Sequence, residues 1–288
     1  YYSKDRVILA SLTDYDYQNA GAALKWNHYI RQKHNFELST IYSSYGYSER
    51  NNASIPRAYE TNYELKHLEA RTGLSLVPHG NHHINIGANS ILYKLDQGNY
   101  KPLNDESLVI PIRLKTEEGV ESAIFINEEW KPSAIFSLSA GLRYNFYTFL
   151  GPHDSYVYKE NQPMEVDNIV DTTFYPKNKK VKSYAAPDLR LSAKYSINEF
   201  MSVKAAFNQV HQYIFMLSNT IAVSPTDKWK LVDEHIKPMN GEQYSVGFFS
   251  ELKKHMYEFS TELYYKNVPI MLSRMHLTLL PIINFRIA

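Results

Sequence analysis

Along most of this chain apolar residues recur at every second position, a period that only extended, two-faced strands can use. In PSAIFSLSAGLRYNFY, residues 132–147, one set is Ala134, Phe136, Leu138, Ala140, Leu142, Tyr144 and Phe146, apolar throughout. The other is Ile135, Ser137, Ser139, Gly141, Arg143, Asn145 and Tyr147, mostly small or polar with one arginine. The same alternation runs through Ala22–His28, Phe36–Tyr42, Tyr59–Leu65, Ile84–Leu92, Leu189–Ile197, Met201–Phe207 and Tyr257–Tyr265. No segment of ordinary length has a helical period. The pattern predicts an all-β, antiparallel fold of about eleven strands, at roughly 4–12, 22–30, 35–46, 60–75, 83–95, 120–130, 134–147, 188–197, 200–210, 242–250 and 256–266.

Period two does not say which face is wet. In a soluble sandwich the apolar set packs inward; in a membrane barrel it meets lipid and the polar set lines the lumen. Mean hydropathy is −0.42, and no run approaches the roughly 18 apolar residues of a membrane helix. That argues against a helical membrane protein and leaves a barrel open, because alternating residues cancel in a window average. Connection lengths favour the barrel. Short turns are expected at 31–34, 131–133, 198–199 and 251–255, and long loops at about 96–119, 148–187 and 211–241. Tyrosine, with 24 copies, suits strands and suits a membrane–water interface. Tyr144, Phe146, Tyr147 and Phe149, and Tyr257, Tyr264 and Tyr265, are expected in aromatic girdles at strand ends.

In hydrocarbon every backbone polar group needs a partner, so a spanning sheet must close. Single-chain bacterial barrels normally have even strand numbers. A count near eleven therefore predicts a partial transmembrane β-barrel. The chain opens YYSKDR, without an initiator Met or a signal peptide, as a mature or truncated chain would.

Residues 123–147 (AIFINEEWKPSAIFSLSAGLRYNFY), 187–215 and 229–266 resemble the barrel of TonB-dependent outer-membrane receptors, in particular those of Bacteroidetes-type bacteria. The likeness lies in the series of strands and loops over most of 60–266, not in one motif. It implies a plugged barrel of 22 strands, with a plug domain and a segment coupling to the TonB complex outside this fragment. It also implies location in the outer membrane, contact with outer-membrane lipid, and active uptake of a siderophore, cobalamin, oligosaccharide or peptide. The fragment is expected to be inactive alone. The barrel-like part is assigned to 1–267. Residues 268–288 lose the alternation and read as a divergent tail or the product of a frame change.

Catalytic and metal chemistry are poorly supported. There are no cysteines, and 31 basic residues balance 30 acidic ones, so thiolate sites are excluded and nothing points to nucleic acid. No GxSxG, HExxH or P-loop pattern occurs; neither an enzyme nor a cofactor is expected. His79, His82 and His83 are poorly spaced for a metal. Glu117–Glu118 and Glu128–Glu129 point to opposite faces of a strand and read as solvated loop or turn charges. Arg143, Arg190, Lys194, Lys204, Glu258 and Glu262 share the hydrophilic face and are the candidates for the lumen, in contact with a plug or with a ligand. Tyr156, Tyr158 and Trp229, in the long loops, are candidates for stacking on a ligand. Two other readings fit: a passive porin-like channel, and a soluble β-rich domain that binds or acts on polysaccharide.

Overall fold

A computed structural model describes residues 1–9, 13–31, 33–78, 80–217, 228–252, 257–268 and 277–287. Its strands are β1 (Tyr2–Leu9), β2 (Thr13–Ile30), β3 (His34–Asn51), β4 (Tyr59–Leu76), β5 (His82–Asp96), β6 (Asn99–Pro102), β7 (Ile112–Arg113), β8 (Glu117–Ser133), β9 (Phe136–Leu150), β10 (His153–Tyr158), β11 (Ile169–Tyr175), β12 (Lys180–Ser196), β13 (Met201–Gln212), β14 (Ile214–Leu217), β15 (Lys228–Leu231), β16 (Met239–Leu252), β17 (Tyr257–Asn267) and β18 (Leu277–Ile287). The main sheet is one antiparallel meander, β1-β2-β3-β4-β5-β8-β9-β12-β13-β16-β17-β18. All eleven expected strands are in it. The twelfth, β18, comes from the tail and pairs with β17 across a register break at Tyr264/Lys266. Among the described residues no helix is long and apolar enough to cross a membrane.

Turns and loops alternate as expected, with one correction. Lys131, Pro132 and Ser133 are not a turn but the end of β8, which is irregular between Trp130 and Ser133. The β8–β9 turn is Ala134-Ile135. The expected turn at 251–255 lies mostly outside the described residues.

The strands are longer than their alternation suggests. β2, β3 and β4 each have 18 residues, where roughly ten cross a bilayer. The added residues lie at the loop end, and there the pattern inverts. On β5 the uncovered face carries Ile86, Ala88 and Leu92, then Lys94; the other face carries Asn89, then Tyr93 and Leu95, which are 8% and 0% exposed. On β9 Leu142, Tyr144 and Phe146 are uncovered, while Tyr147 and Phe149 on the opposite face are 0% and 1% exposed. Tyr147 and Phe149 are therefore not girdle residues. Tyr264 also lies on the opposite face from Tyr265.

An uncovered apolar face of this extent excludes a soluble sandwich, where it would be the core. From Phe136 to Phe146, at about 3.4 Å per residue and a tilt of about 45°, the uncovered set spans about 24 Å, close to the apolar band of an outer-membrane barrel. Aromatics flank it. Tyr144–Phe146 and Phe207–Tyr244, each 4.9 Å between ring centroids, mark the loop end. Trp26 against Phe36 (5.8 Å) and Trp130 against His82 (5.9 Å) mark the turn end. Beyond the band on the loop side, the outward residues form a charge ladder. Arg6 lies 2.6 Å from Asp14, Arg50 lies 3.9 Å from both Asp16 and Glu60, and Lys101 lies 3.5 Å from Glu60.

The β5–β6 turn fixes the start of the first of the expected long loops, at about 96–119. Gly98 has φ +88°, and a Cβ there would fall 1.4 Å from the Asn62 carbonyl oxygen. The turn is held by Asp96 Oδ1, which accepts from the Gly98 amide, and by Asn62 Oδ1, which accepts from the Asn99 amide. Gly98→Ala meets both an unfavourable φ and a backbone clash. It is expected to lower stability by more than about 1 kcal/mol, read as a shift in the denaturant midpoint of the chain folded in detergent.

Candidate functional site

At the loop end the polar face is filled by the chain itself. The segment after β13 leaves the wall at Asp188, whose Oδ1 accepts from the His211 amide (3.0 Å) and lies 2.7 Å from His211 Nδ1. Tyr213 then stacks on Tyr147 of the wall, with centroids 5.0 Å apart and planes 11° apart. β14 and β15 form a hairpin, and Leu231 and Val232, at its return, are fully buried. Residues 228–236 form a strap over the wall.

Wall side chains hold the strap by its backbone. The Trp229 amide donates to Tyr63 Oη (2.9 Å) and the Leu231 amide to Glu117 Oε2 (3.1 Å). Tyr147 Oη donates to the Val232 carbonyl (2.8 Å) and Tyr184 Oη to the Asp233 carbonyl (2.7 Å). Lys230 Nζ sits between Glu117 (2.9 Å) and Asp233 (2.6 Å), 5.7 Å from the centre of the Phe149 ring. Burial works against the Lys230 charge, but the two carboxylates prevail and raise its pKa. Asp233 Oδ1 caps the turn by accepting from the His235 and Ile236 amides, both at 2.8 Å. Each neutral hydrogen bond contributes about 0.5–1.5 kcal/mol net.

Below the strap the wall carries a polar cavity of about 430 Å³ whose lining includes Glu69, Arg71, Asn89, Glu121, Arg143, Asp188, Arg190 and His211. Arg143 Nε donates to Asn145 Oδ1 (2.7 Å), and its Nη2 lies 3.7 Å from Glu121, which accepts from Tyr93 Oη at 3.2 Å. At Gly141 a Cβ would fall 2.4 Å from Asn127 Oδ1, so a larger residue there would have to displace that side chain.

The six charged candidates fall on this face by register. Arg143 stands opposite Asp188, and Arg190 opposite Gly141. Lys194 faces Lys204, Lys204 faces Gly247, and Gly247 faces Glu262, with Glu258 two pleats further along β17. Arg143 and Arg190 line one cavity; Lys194, Lys204, Glu258 and Glu262 are exposed nearer the turn end. Tyr156 and Tyr158 neighbour each other on β10, and the Tyr158 ring meets His235 edge-on at 5.8 Å. Trp229 is not at a loop tip but on β15, packed against the buried cluster. His79 lies outside the described residues, while His82 and His83 pair with Glu128 and Ser75, each at 2.7 Å. Among the described residues no cluster of three His, Cys, Asp or Glu could hold a metal.

Glu117 and Glu118 are not solvated charges. Glu117 holds the strap and accepts from Gln97 Nε2 (2.9 Å), and Glu118, 8% exposed, lies 4.0 Å from Lys94. Sequence reasoning also missed Tyr63, Tyr147, Tyr184 and Lys230. The available signal was aromatic residues at positions out of phase with the apolar set.

The family model for "TonB dependent receptor-like, beta-barrel" matches residues 1–269. The chain belongs to this family. Members are outer-membrane proteins, and the uncovered band is accordingly the lipid-facing surface. By sequence, no curated protein matches the chain. By structure, it is similar to the ferric-catecholate import receptor Fiu of E. coli K12 in its closed form, with TM-score 0.60 and 14% identity over 90% of this chain and 42% of that one. It is similar to the alcaligin outer-membrane receptor FauA of Bordetella pertussis (TM-score 0.59, 10% identity, 93% and 39% covered). It is also similar to the Serratia marcescens hemophore receptor HasR (TM-score 0.57, 12% identity, 93% and 42% covered). The chain thus spans about two fifths of the length of these receptors, and the likeness is one of fold.

Glu234, on the strap's return, lies 2.7 Å from His153 Nε2 and 3.6 Å from His235 Nε2. Partial burial opposes its charge, but the His153 hydrogen bond, its own backbone amide and the two imidazoles hold its pKa at about 2 against an ordinary 4.5. A depressed pKa contributes stability that is complete above the unfolded value and lost as pH falls through the folded one. Amide exchange at 228–236, corrected for its intrinsic pH dependence, should therefore stay flat down to about pH 4.5 and accelerate from there toward pH 2. Glu234→Gln should remove the acid step.

Proposed function

We propose that this chain forms part of the wall of an outer-membrane receptor that takes up a scarce nutrient, driven through the TonB complex, with a plug domain in the lumen. The observation that carries the proposal is the family match over residues 1–269. The filled loop end of the polar face supports it against a passive pore, which needs an open aqueous path. The neighbouring structures are named as receptors for ferric catecholates, alcaligin, and a hemophore with heme. They support an iron-bearing cargo such as a siderophore within the wider set that includes cobalamin, oligosaccharide and peptide. Arg143, Arg190, Lys194, Lys204, Glu258 and Glu262 face the lumen in this proposal and contact the plug more than the cargo, while Tyr156 and Tyr158 stand where loops meet cargo. We read residues 268–288 as a divergent tail or the product of a frame change, although the family match reaches residue 269, and sequencing the locus in all frames tests this. By itself the sheet is inactive: β1 and β18 each pair on one side only, and an open edge in lipid leaves backbone groups unmet.

Two experiments test this. In a strain carrying the intact gene, energy-dependent uptake of a ferric siderophore panel, cobalamin, oligosaccharides and peptides should disappear on gene deletion and on loss of TonB. Uptake that persists without TonB supports the passive channel instead. In lipid, Leu142→Lys should cost about 2–4 kcal/mol if placed near mid-bilayer, while Ser139→Lys on the lumen side should cost far less. Equal costs in denaturant titrations would defeat the assignment of faces.

A further inference from the structure

The strap is bound as a peptide is bound. Within five residues, the amides of Trp229 and Leu231 and the carbonyls of Val232 and Asp233 each meet a different wall side chain. Any extended segment presents such groups, and backbone hydrogen bonds with pockets for alternate side chains are how peptides are recognised in general. One contact adds a sequence requirement: Lys230 Nζ reaches Glu117 Oε1 over the face of Phe149. The reading groups sit on four different strands, Tyr63 on β4, Glu117 on β8, Tyr147 on β9 and Tyr184 on β12. They are fixed by the sheet and need no strap to position them.

The cis occupant is held in a way that permits release. Its charged anchor is a buried ion cluster, whose desolvation cost offsets much of its attraction, so that removing one partner strongly weakens the contact. The strap's second carboxylate, Glu234, leaves Oε2 buried without a protein partner. If the strap left and nothing replaced it, three tyrosine hydroxyls would lose their strap partners and Glu117 would keep only Gln97 in a partly apolar cleft, which disfavours an empty site and favours an equivalent occupant.

We propose that the wall site formed by Tyr63, Glu117, Tyr147 and Tyr184 binds an extended peptide bearing a lysine or arginine, and that the strap occupies it in cis as an autoinhibitory ligand. The proposal rests on the uptake function above and narrows its cargo class to a cationic peptide or a cargo with such a segment. A tethered occupant acts at an effective concentration in the millimolar range, so a free peptide competes poorly until the cis contact is weakened.

The test uses the intact receptor that contains this chain, purified in detergent micelles, and a fluorescent synthetic peptide with the sequence KWKLVDEHI, that of residues 228–236. Lys230→Met weakens the cis contact and leaves the wall untouched; Trp229→Ala is a second release variant should the first fold poorly. Either is expected to bind the probe at least tenfold more tightly than the unaltered chain. Adding Glu117→Gln to the release variant, or replacing the probe's second lysine by methionine, should each remove most of that gain. Amide exchange at Leu231 and Val232 should quicken in the release variants while β8 and β9 stay protected. If strap amides exchange only together with β8 and β9 in every variant, or if the probe binds all variants equally weakly, the strap is permanent filler and the proposal is wrong. Uptake of a non-peptide cargo by the intact receptor without probe binding would sink this proposal and leave the uptake function standing. Probe binding by a protein that transports nothing would do the reverse.

Discussion

The main sheet of this fold hangs on backbone pairing between neighbours from β1 to β18. A strand in hydrocarbon has no water to satisfy its amides and carbonyls, so the adjacent strand must supply every partner. That requirement forces the meander, since antiparallel neighbours need only tight turns on one side, and it removes any place for a helix within the band. It also frees the side chains from holding the sheet together. Their two faces can then be assigned to opposite environments, lipid for Leu142 and Val246, polar interior for Arg143 and Gln243. Among the described residues, the rule is met on one side only at β1 and β18.

Above the lipid the same pairing continues under a different rule. There the outward side chains meet water and the inward ones meet the strap, so charges turn out and tyrosines turn in, as in any soluble sheet. The ladder from Arg6 to Lys101 holds the outer surface with exposed pairs, each of small value. The inner surface does the more consequential work. Tyr47, Tyr63, Tyr93 and Tyr147 are large enough to floor a cleft, and two of them keep a hydroxyl free to read the strap backbone. Tyrosine is the residue that provides both, which gives its abundance in this chain a structural reason beyond interface anchoring.

Much of this was legible in sequence. Alternation in Phe136–Tyr144 and Leu189–Ile197 reports a two-faced strand directly, because nothing but strand pleat produces it; it locates eleven strands, and the alternating connection lengths point the apolar face to lipid. The strap was not legible. Its contacts join Lys230 to Glu117, far apart in sequence, and adjacency of that kind is set by the register of the three intervening main-sheet strands, β9, β12 and β13. Glu117 illustrates the difficulty: beside Glu118 at the edge of a long loop it has the composition of a solvated charge, and only the segment folded over it makes it an anchor. Trp229 misled in the same way, since a tryptophan in a long loop resembles an exposed binding residue until the loop is seen to turn inward.

One signal could have been read and was not. On β5 the apolar phase runs through Ile84, Ile86, Ala88 and Leu92 at even positions, broken by Ser90, and overlaps with the odd phase that begins at Ile91 and continues through Tyr93 and Leu95. On β4 it runs from Tyr63 and Leu65 at odd positions to Leu68, Ala70 and Leu74 at even ones, with Glu64 and Lys66 even as well. A strand cannot twist fast enough to swap faces between neighbours, so the switch has to record a change of surroundings, not of backbone. Lipid demands apolar side chains outward; water with a packed interior demands the opposite. The residue pair where the phase reverses is therefore the membrane boundary, and Leu92/Tyr93, Lys66/Leu68 and Phe146/Tyr147 place it near one level on paired strands. The same inversion predicts that something must cover the inner face above that level, since aromatic residues facing an aqueous vestibule would be exposed on both counts. In this chain the strap is what covers it.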